Sequence, residues 1–224
     1  MIVAIDGPSG AGKSSLAKRI ARDLRFTYLD TGAIYRALAL KILRRGVDLN
    51  DTAALSAIVI DTDIDLRGRN GQLLVFLDGE DVSASIRTPE VSQMASKASA
   101  IAMVRHRLLD LQRDLGRRGN VVAEGRDIGT VVFPDAQVKI YLDASIAERA
   151  RRRCDELRAA GREVSLDETI IEMEERDKRD SERDIAPLRK AADALALDSS
   201  GLTADEVAEK VLQLIKSESS KNKK

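Results

Sequence analysis

The sequence predicts an α/β domain in which helices cover both faces of a parallel sheet. Three observations lead there. Short apolar runs alternate with longer stretches whose apolar residues recur every three or four positions. The runs are mostly apolar, as strands of a parallel sheet covered by helices are. Aromatics make up only 3% of the 224 residues and tryptophan is absent, so the core must be built from Ala, Leu, Ile and Val.

The elements follow in order. Ile2 to Ile5 is a buried strand that enters the loop Gly7-Pro8-Ser9-Gly10. Leu16, Ile20 and Leu24, with Ala17 and Ala21, give the next segment one apolar helical face. Phe26 to Leu29 reads as a second strand, and Ala33 to Leu43 as a second helix that stops near Gly46. Leu73 to Leu77, after Arg69-Asn70-Gly71, reads as one arm of a hairpin. Thr88-Pro89-Glu90 starts a helix with proline at its first position, where the missing N–H would bond nothing. Leu108, Leu111 and Leu115 form a core stripe. Val121 to Ala123, Val138 to Leu142 and Ala194 to Leu197 are three more strands. Ser145 to Glu148, Ser165 to Glu168 and Thr203 to Glu206 are capping boxes that open three later helices. Val207, Val211 and Leu214 give the last of them an apolar face. The stretch at about residues 59–85 breaks the strand–helix rhythm and reads as an inserted subdomain within a core of 1–58 and 86–218. Residues 219–224 read as a flexible tail.

Composition excludes several classes. Lys plus Arg is 37 and Asp plus Glu is 37, whereas a dedicated nucleic-acid binder carries a basic excess. No nucleic-acid polymer is therefore expected as a partner. The single cysteine, Cys154, cannot form an intrachain disulfide, and no Cys/His cluster offers a zinc site. Cys154 and the lone histidine, His106, are expected to be inert, the latter on a helix surface. The start of the chain lacks a basic n-region, its apolar run is short for a signal peptide, and no stretch approaches a membrane span. The expectation is a cytoplasmic monomer with no membrane partner.

Gly7-Pro8-Ser9-Gly10-Ala11-Gly12-Lys13-Ser14 fits G-x-x-x-x-G-K-[ST] between a strand and a helix. In that setting the glycines let successive N–H groups point inward around phosphate oxygens, and the helix adds its positive N-terminal end. Lys13 would reach the β- and γ-phosphates of ATP. The Ser14 hydroxyl would be a magnesium ligand, and Ser15 completes the donor-site set. No guanine-reading N-K-x-D occurs, the nearest string being Asn222-Lys223-Lys224 at the chain end, so small-molecule kinases lead among the nucleotide-using classes.

Three further clusters mark the acceptor side: Leu29-Asp30-Thr31-Gly32-Ala33-Ile34-Tyr35-Arg36, Glu124-Gly125-Arg126-Asp127-Ile128-Gly129, and Arg176-Asp177-Lys178-Arg179-Asp180-Ser181-Glu182-Arg183. The first two follow strands, the edge at which open α/β sheets bind ligands. Together with the phosphate loop, these clusters resemble bacterial cytidylate (CMP/dCMP) kinases from Ile2 to about Leu197 and on into the final helix.

The resemblance implies a P-loop NTPase-type three-layer fold with a five-stranded parallel sheet. It also implies a monophosphate-binding insert and an Arg-rich helical lid at about 149–183. It implies that Thr31, Tyr35 and Arg36 line the monophosphate site, with Arg126 on the same phosphate and Asp127 towards the nucleotide. Ser96 and Arg105 would lie near the cytosine, and Arg176, Asp180 and Arg183 would close over ribose and phosphates. Thr31 departs from the serine common in relatives but keeps the hydroxyl. The implied reaction passes the γ-phosphoryl of ATP to CMP or dCMP, with magnesium. Catalysis would come from Lys13, Arg126, Arg176 and Arg183, because an acceptor phosphate is already largely deprotonated at pH 7 and needs no general base. The alternatives are another small-molecule kinase with the same loop and a non-enzymatic ATP-gated module. Asp30 and Asp127 are both open as the carboxylate that orders magnesium, and Arg149 and Arg153 are open as lid residues.

Overall fold

The structure, a computed structural model, describes residues 1–69, 72–117 and 119–221. The chain forms two compact units, Met1–Leu29 with Gly119–Lys224, and Asp30–Arg118.

The first unit holds the strands β1 (Ile2–Asp6), β2 (Thr27–Asp30), β6 (Val121–Gly125), β7 (Val138–Asp143) and β8 (Leu195–Asp198). They make one parallel sheet in the order β2-β6-β1-β7-β8. β1 is central, and Val3, Ala4 and Ile5 have no exposed surface, which explains a run with no polar alternation. Its last residue, Asp6, pairs in register with Gly125 and Tyr141, so β1 and β6 end at one level and β7 runs two residues further. Helices α1 (Lys13–Leu24) and α8 (Ala204–Lys221) join this core through Leu16, Ile20, Val207, Val211 and Ile215. Full burial of a side chain such as Ile20 contributes about 1.5–3 kcal/mol. Helices α6 (Ile146–Ala159) and α7 (Leu166–Glu182) pack on each other.

The three expected capping boxes divide. Thr203 and Glu206 cap reciprocally: Thr203 N–H donates to Glu206 Oε2 at 2.8 Å and Glu206 N–H to Thr203 Oγ1 at 3.3 Å. Ser145 Oγ accepts from Glu148 N–H at 3.3 Å. Ser165 holds the N-cap position, but its side chain accepts no capping bond. Asp167 and Glu168 in the first turn of α7 instead face the positive end of the helix. α8 continues to Lys221, so the first three residues of the expected tail are helical in backbone, and 222–224 lie outside the described residues.

The second unit contains α2 (Thr31–Arg45), α3 (Thr52–Ile60), α4 (Pro89–Ala98) and α5 (Ala102–Gly116). It also contains an antiparallel sheet of β3 (Ile64–Arg69), β4 (Gln72–Leu77) and β5 (Glu80–Asp81). The turn residues Asn70 and Gly71 lie outside the described residues. This unit is wider than the expected insert because the small sheet packs on α2, which in turn packs on α4 and α5. α3 was hidden by its composition: Ala53 to Ile60 is almost wholly apolar, so no helical face stands out. Its N-cap is Asp51, which accepts from Ala54 N–H at 3.0 Å. Thr88 caps α4 ahead of Pro89, as expected, and α2 ends on Gly46 at φ 62°. Among the described residues, no helix is long and apolar enough to cross a membrane.

Candidate active site

The turn between β1 and α1 is shaped by glycine. Gly7, Gly10 and Gly12 have φ of 148°, 75° and 93°. A Cβ on Gly7 would overlap the carbonyl oxygen of Leu142 on the neighbouring strand, so the loop runs as close to β7 as a backbone can. Lys13 is buried at the start of α1, and its Nζ donates to the Pro8 carbonyl at 2.5 Å. Burial pushes the Lys13 pKa down to about 7. The positive charges of Arg126 and Arg176 add to this, and Glu124 and Asp6 oppose it. Ser14 and Ser15 are exposed on the first turn of the helix.

Beside the loop lies a cleft of about 270 Å³ bordered by Gly12, Ser15, Arg152, Ser199, Leu202 and Val207. A larger cleft of about 560 Å³, lined in part by Tyr141, Asp143, Lys190 and Asp198, touches no residue of the phosphate loop. The smaller cleft therefore has the better claim to a nucleotide base.

Asp6 was not singled out in the sequence, although a charged residue ending an apolar strand directly before the loop was the available signal. Its buried carboxylate accepts from the N–H groups of Ile128 and Gly129, both at 2.7 Å. Those bonds hold the one-turn π-type helix Ile128–Val132 and so anchor Arg126 and Asp127 just before it. Burial raises the Asp6 pKa to about 6 against the pull of these bonds.

The expected site arginines of this unit each lie beside a carboxylate. Arg126 Nε donates to Asp180 Oδ2 at 2.9 Å, and Arg176 Nε lies 4.0 Å from the same oxygen. Burial alone would raise the Asp180 pKa, but Arg126 and Arg176 hold it below the usual carboxylate range. Burial likewise works against the Arg126 charge, and Asp180 outweighs it. Arg183 Nε donates to the Ala186 carbonyl at 2.8 Å, and its Nη2 lies 3.5 Å from Asp127 Oδ1. Arg176 Nη1 reaches Ser9 Oγ at 3.4 Å.

The two open lid arginines separate. Arg149 is buried and bonds the phosphate loop at the Ser9 carbonyl, 3.0 Å away, while Arg153 pairs with Glu156 on an exposed face. Cys154 is buried against Thr169, and His106 is exposed on α5.

In the second unit, α2 begins directly at the end of β2. Asp30 caps it by accepting from Ala33 N–H at 2.8 Å, and its other oxygen accepts from Arg36 Nη2 at 2.9 Å. Both oxygens of Asp30 are thus engaged, and Arg36 among other neighbours holds its pKa down against burial. Arg36 Nε is buried with no hydrogen-bond partner among the described residues. A buried, unsatisfied guanidinium N–H costs about 1–3 kcal/mol, which an incoming phosphate oxygen would recover. The Arg105 guanidinium stands 5.6 Å from the centroid of the Tyr35 ring, and its Nη1 donates to the Ser99 carbonyl at 3.3 Å. Ser96 and Arg105 are both buried, and Thr31 occupies the first turn of α2. Of the expected acceptor residues, this unit therefore joins Arg36 to Asp30 and Arg105 to Tyr35.

Comparison with known proteins decides the family. The family model described as "Cytidylate kinase" matches residues 3–217. The chain is 50% identical over 215 residues to a cytidylate kinase of Syntrophotalea carbinolica, covering 96% of this chain and 92% of that one. It is 48% identical over 216 residues to a cytidylate kinase of Bacillus licheniformis, covering 96% of each. The chain belongs to the cytidylate kinase family.

A bifunctional pantoate ligase/cytidylate kinase of Synechococcus elongatus is 47% identical over 218 residues, which is 95% of this chain and 41% of that protein. Among solved structures, an uncharacterized protein from Eubacterium ventriosum superposes with a TM-score of 0.54 at 12% identity. That match covers 97% of this chain and 99% of the other, and it bears on fold alone. Membership in the cytidylate kinase family makes this chain an ATP-dependent nucleotide kinase, with nucleotides as its substrates.

Proposed function

We infer that this chain transfers the γ-phosphoryl group of ATP to CMP or dCMP, giving ADP and CDP or dCDP. The observation that carries the reading is the family match over residues 3–217. The backbone of residues 7–15 holds the triphosphate, with Lys13 on its β- and γ-phosphates. The 270 Å³ cleft, with Leu202 and Val207 on its apolar side, suits the adenine base. Magnesium fits the donor set. The exposed Ser14 hydroxyl is a hard oxygen ligand. Asp30 is the weaker of the two carboxylates first considered, because Ala33 and Arg36 occupy it. The ion would neutralise charge on the phosphates.

On the acceptor side, Arg36 is the phosphate anchor, and its unsatisfied Nε supports that role. Thr31, Tyr35, Ser96 and Arg105 bind the nucleoside. Arg126, Arg176 and Arg183, with Asp127 and Asp180, serve ribose and phosphates and offset the charge that builds up during transfer. The protein acts as a cytoplasmic monomer.

Purified protein with ATP and magnesium, offered CMP, dCMP, UMP, AMP, shikimate and dephospho-coenzyme A separately, tests the reading. ADP should appear fastest with CMP or dCMP. The reading fails if CMP is left untouched while another acceptor turns over, and ATP binding without any turnover would favour a nucleotide-gated module.

A further inference from the structure

The arginine network already described joins charged side chains to one another. One pair does something different: it grips the backbone of the phosphate loop. Asp177 on α7 accepts from Ser9 N–H through Oδ1 at 3.3 Å. Arg149 on α6 donates from Nη1 to the Ser9 carbonyl at 3.0 Å. Arg149 and Asp177 also bond each other, Nη1 to Oδ2 at 2.5 Å. Both backbone polar groups of one loop residue are thus held by the two halves of a single ion pair. Arg149 is fixed in turn, because its Nε donates to the Ala144 carbonyl at 2.9 Å, at the root of α6.

An independent observation points to the same place. A Cβ on Gly10 would stand 2.9 Å from the Arg149 carbonyl oxygen and 2.9 Å from Met173 Cε. Both helices therefore rest on the loop at two consecutive residues, and the second must be glycine for them to do so. The pair is largely shielded from water, with side-chain exposures of 9% for Arg149 and 18% for Asp177. Charge-assisted bonds at such a site are stronger than at an exposed one.

We propose that Arg149 and Asp177 form a two-sided clamp on Ser9. Through it, the seating of the α6–α7 helix pair sets the shape of the donor loop, and Asp177 is a positioning residue for ATP. The physical reason is pre-organisation. A loop rich in glycine has many conformations, and every conformation that cannot cradle phosphate lowers the apparent affinity by its share of the population. The clamp removes those conformations at Ser9. It also directs the Ser9 N–H to Asp177 and leaves the phosphates to the N–H groups that follow. The same contact makes helix seating and loop shape one event, so ATP is gripped best when α6 and α7 lie over it.

The proposal rests on the donor half of the functional reading, and its test separates the two. Asp177→Ala and Asp177→Asn are compared with the parent in three measurements: exchange of the Ser9 amide hydrogen followed by NMR, calorimetric affinity for a non-hydrolysable ATP analogue, and CMP kinase turnover. Ser9 exchange should be protected in the parent and fast in Asp177→Ala. Affinity for the analogue should fall about tenfold in Asp177→Ala, the scale of one charge-assisted bond. Asp177→Asn keeps an acceptor for Ser9 but loses the ion pair, so it should fall between the two. Arg149→Lys combined with Asp177→Asn should weaken binding by less than the product of the single effects, because each change breaks the same unit.

If Asp177→Ala does not fold, the Asn and Lys variants carry the test alone. Unchanged affinity in the variants beside a parent that binds ATP and phosphorylates CMP overturns the clamp and spares the functional reading. Tighter analogue binding in Asp177→Asn also overturns it, because Asp177 would then be competing with phosphate. A parent that binds no ATP overturns the functional reading and, with it, any donor for the clamp to position.

Discussion

Replacing Lys13 with methionine should make the nucleotide-free protein more stable at neutral and acid pH. Lys13 is buried, and its pKa lies at about 7 instead of 10.5. The folded state therefore disfavours the charged lysine relative to the unfolded chain. At 1.36 kcal/mol per unit, the difference is roughly 4–5 kcal/mol when both states are protonated. Methionine removes that penalty but leaves the Pro8 carbonyl without its donor, a loss of about 1–3 kcal/mol. The net gain is about 2 kcal/mol, or about 4–8 °C in Tm for a chain of this length. The sign against pH is definite. Below pH 7 both states carry the proton and the penalty is complete. Between 7 and 10.5 the folded lysine has released its proton while the unfolded lysine keeps it, so the parent gains stability relative to the variant. Thermal melts of both proteins from pH 6 to pH 10 measure this difference, and subtracting one from the other cancels every other titrating group. Saturating ATP with magnesium should reverse the order at pH 7, since at 100 times Kd a ligand stabilises by about 2.7 kcal/mol and only the parent retains the full site. A variant that is less stable than the parent at pH 6, or a difference that does not change with pH, would refute the reasoning.

Gly10→Ala should destabilise by about 2–3 kcal/mol in urea unfolding, because φ is 75° and the new methyl would press on Arg149 and Met173. An unchanged midpoint would mean that the helices do not rest there. Arg183→Lys keeps the charge but loses the planar fork that reaches both Ala186 and Asp127, so turnover should drop about 10–100-fold with Tm within a few degrees; full activity would remove Arg183 from the chemistry. Thr203→Ala should cost about 1 kcal/mol as a broken reciprocal cap, and Ser165→Ala only a few tenths, since the Ser165 side chain caps nothing. Equal losses in the two variants would contradict that distinction.

The strands, the phosphate loop and the reciprocal cap at Thr203 were legible because each is a local pattern with a local cause. A run such as Ile2 to Ile5 is apolar because it is buried on both faces, and Gly7, Gly10 and Gly12 recur where the backbone turns left-handed or meets Leu142. What was not legible depends on partners distant in sequence. Ser165 has the same motif as Thr203, yet nothing local says that its hydroxyl makes no cap. α3 escaped because an apolar stretch of eight residues has no face to read. Asp6 looked like the end of a strand, and its role emerges only with Ile128 and Gly129, more than a hundred residues away. Arg149 was ambiguous for the same reason, since its partners are Ser9 and Asp177 and not a neighbour on its own helix.

The acidic partners resolve a difficulty left by the composition. A chain of zero net charge must accept a triphosphate, yet it keeps buried arginines that would repel one another without an anion. The structure answers this with carboxylates beside the arginines: Asp180 for Arg126 and Arg176, Asp127 for Arg183, and Asp177 for Arg149. Breaking such a pair from one side leaves a buried charge uncompensated and costs several kcal/mol, so the arginines remain oriented without nucleotide. A phosphate that arrives need not order flexible side chains. It adds to, or takes over from, carboxylates that already define the geometry, and little further reorganisation is needed as charge develops in transfer. Lys13 is the exception. Its Nζ rests on a neutral carbonyl, with burial and two arginines acting against its charge. Of the cations around the loop it is therefore the one with the most to gain from phosphate, so the donor nucleotide should raise the pKa of Lys13 far more than it alters any arginine pair.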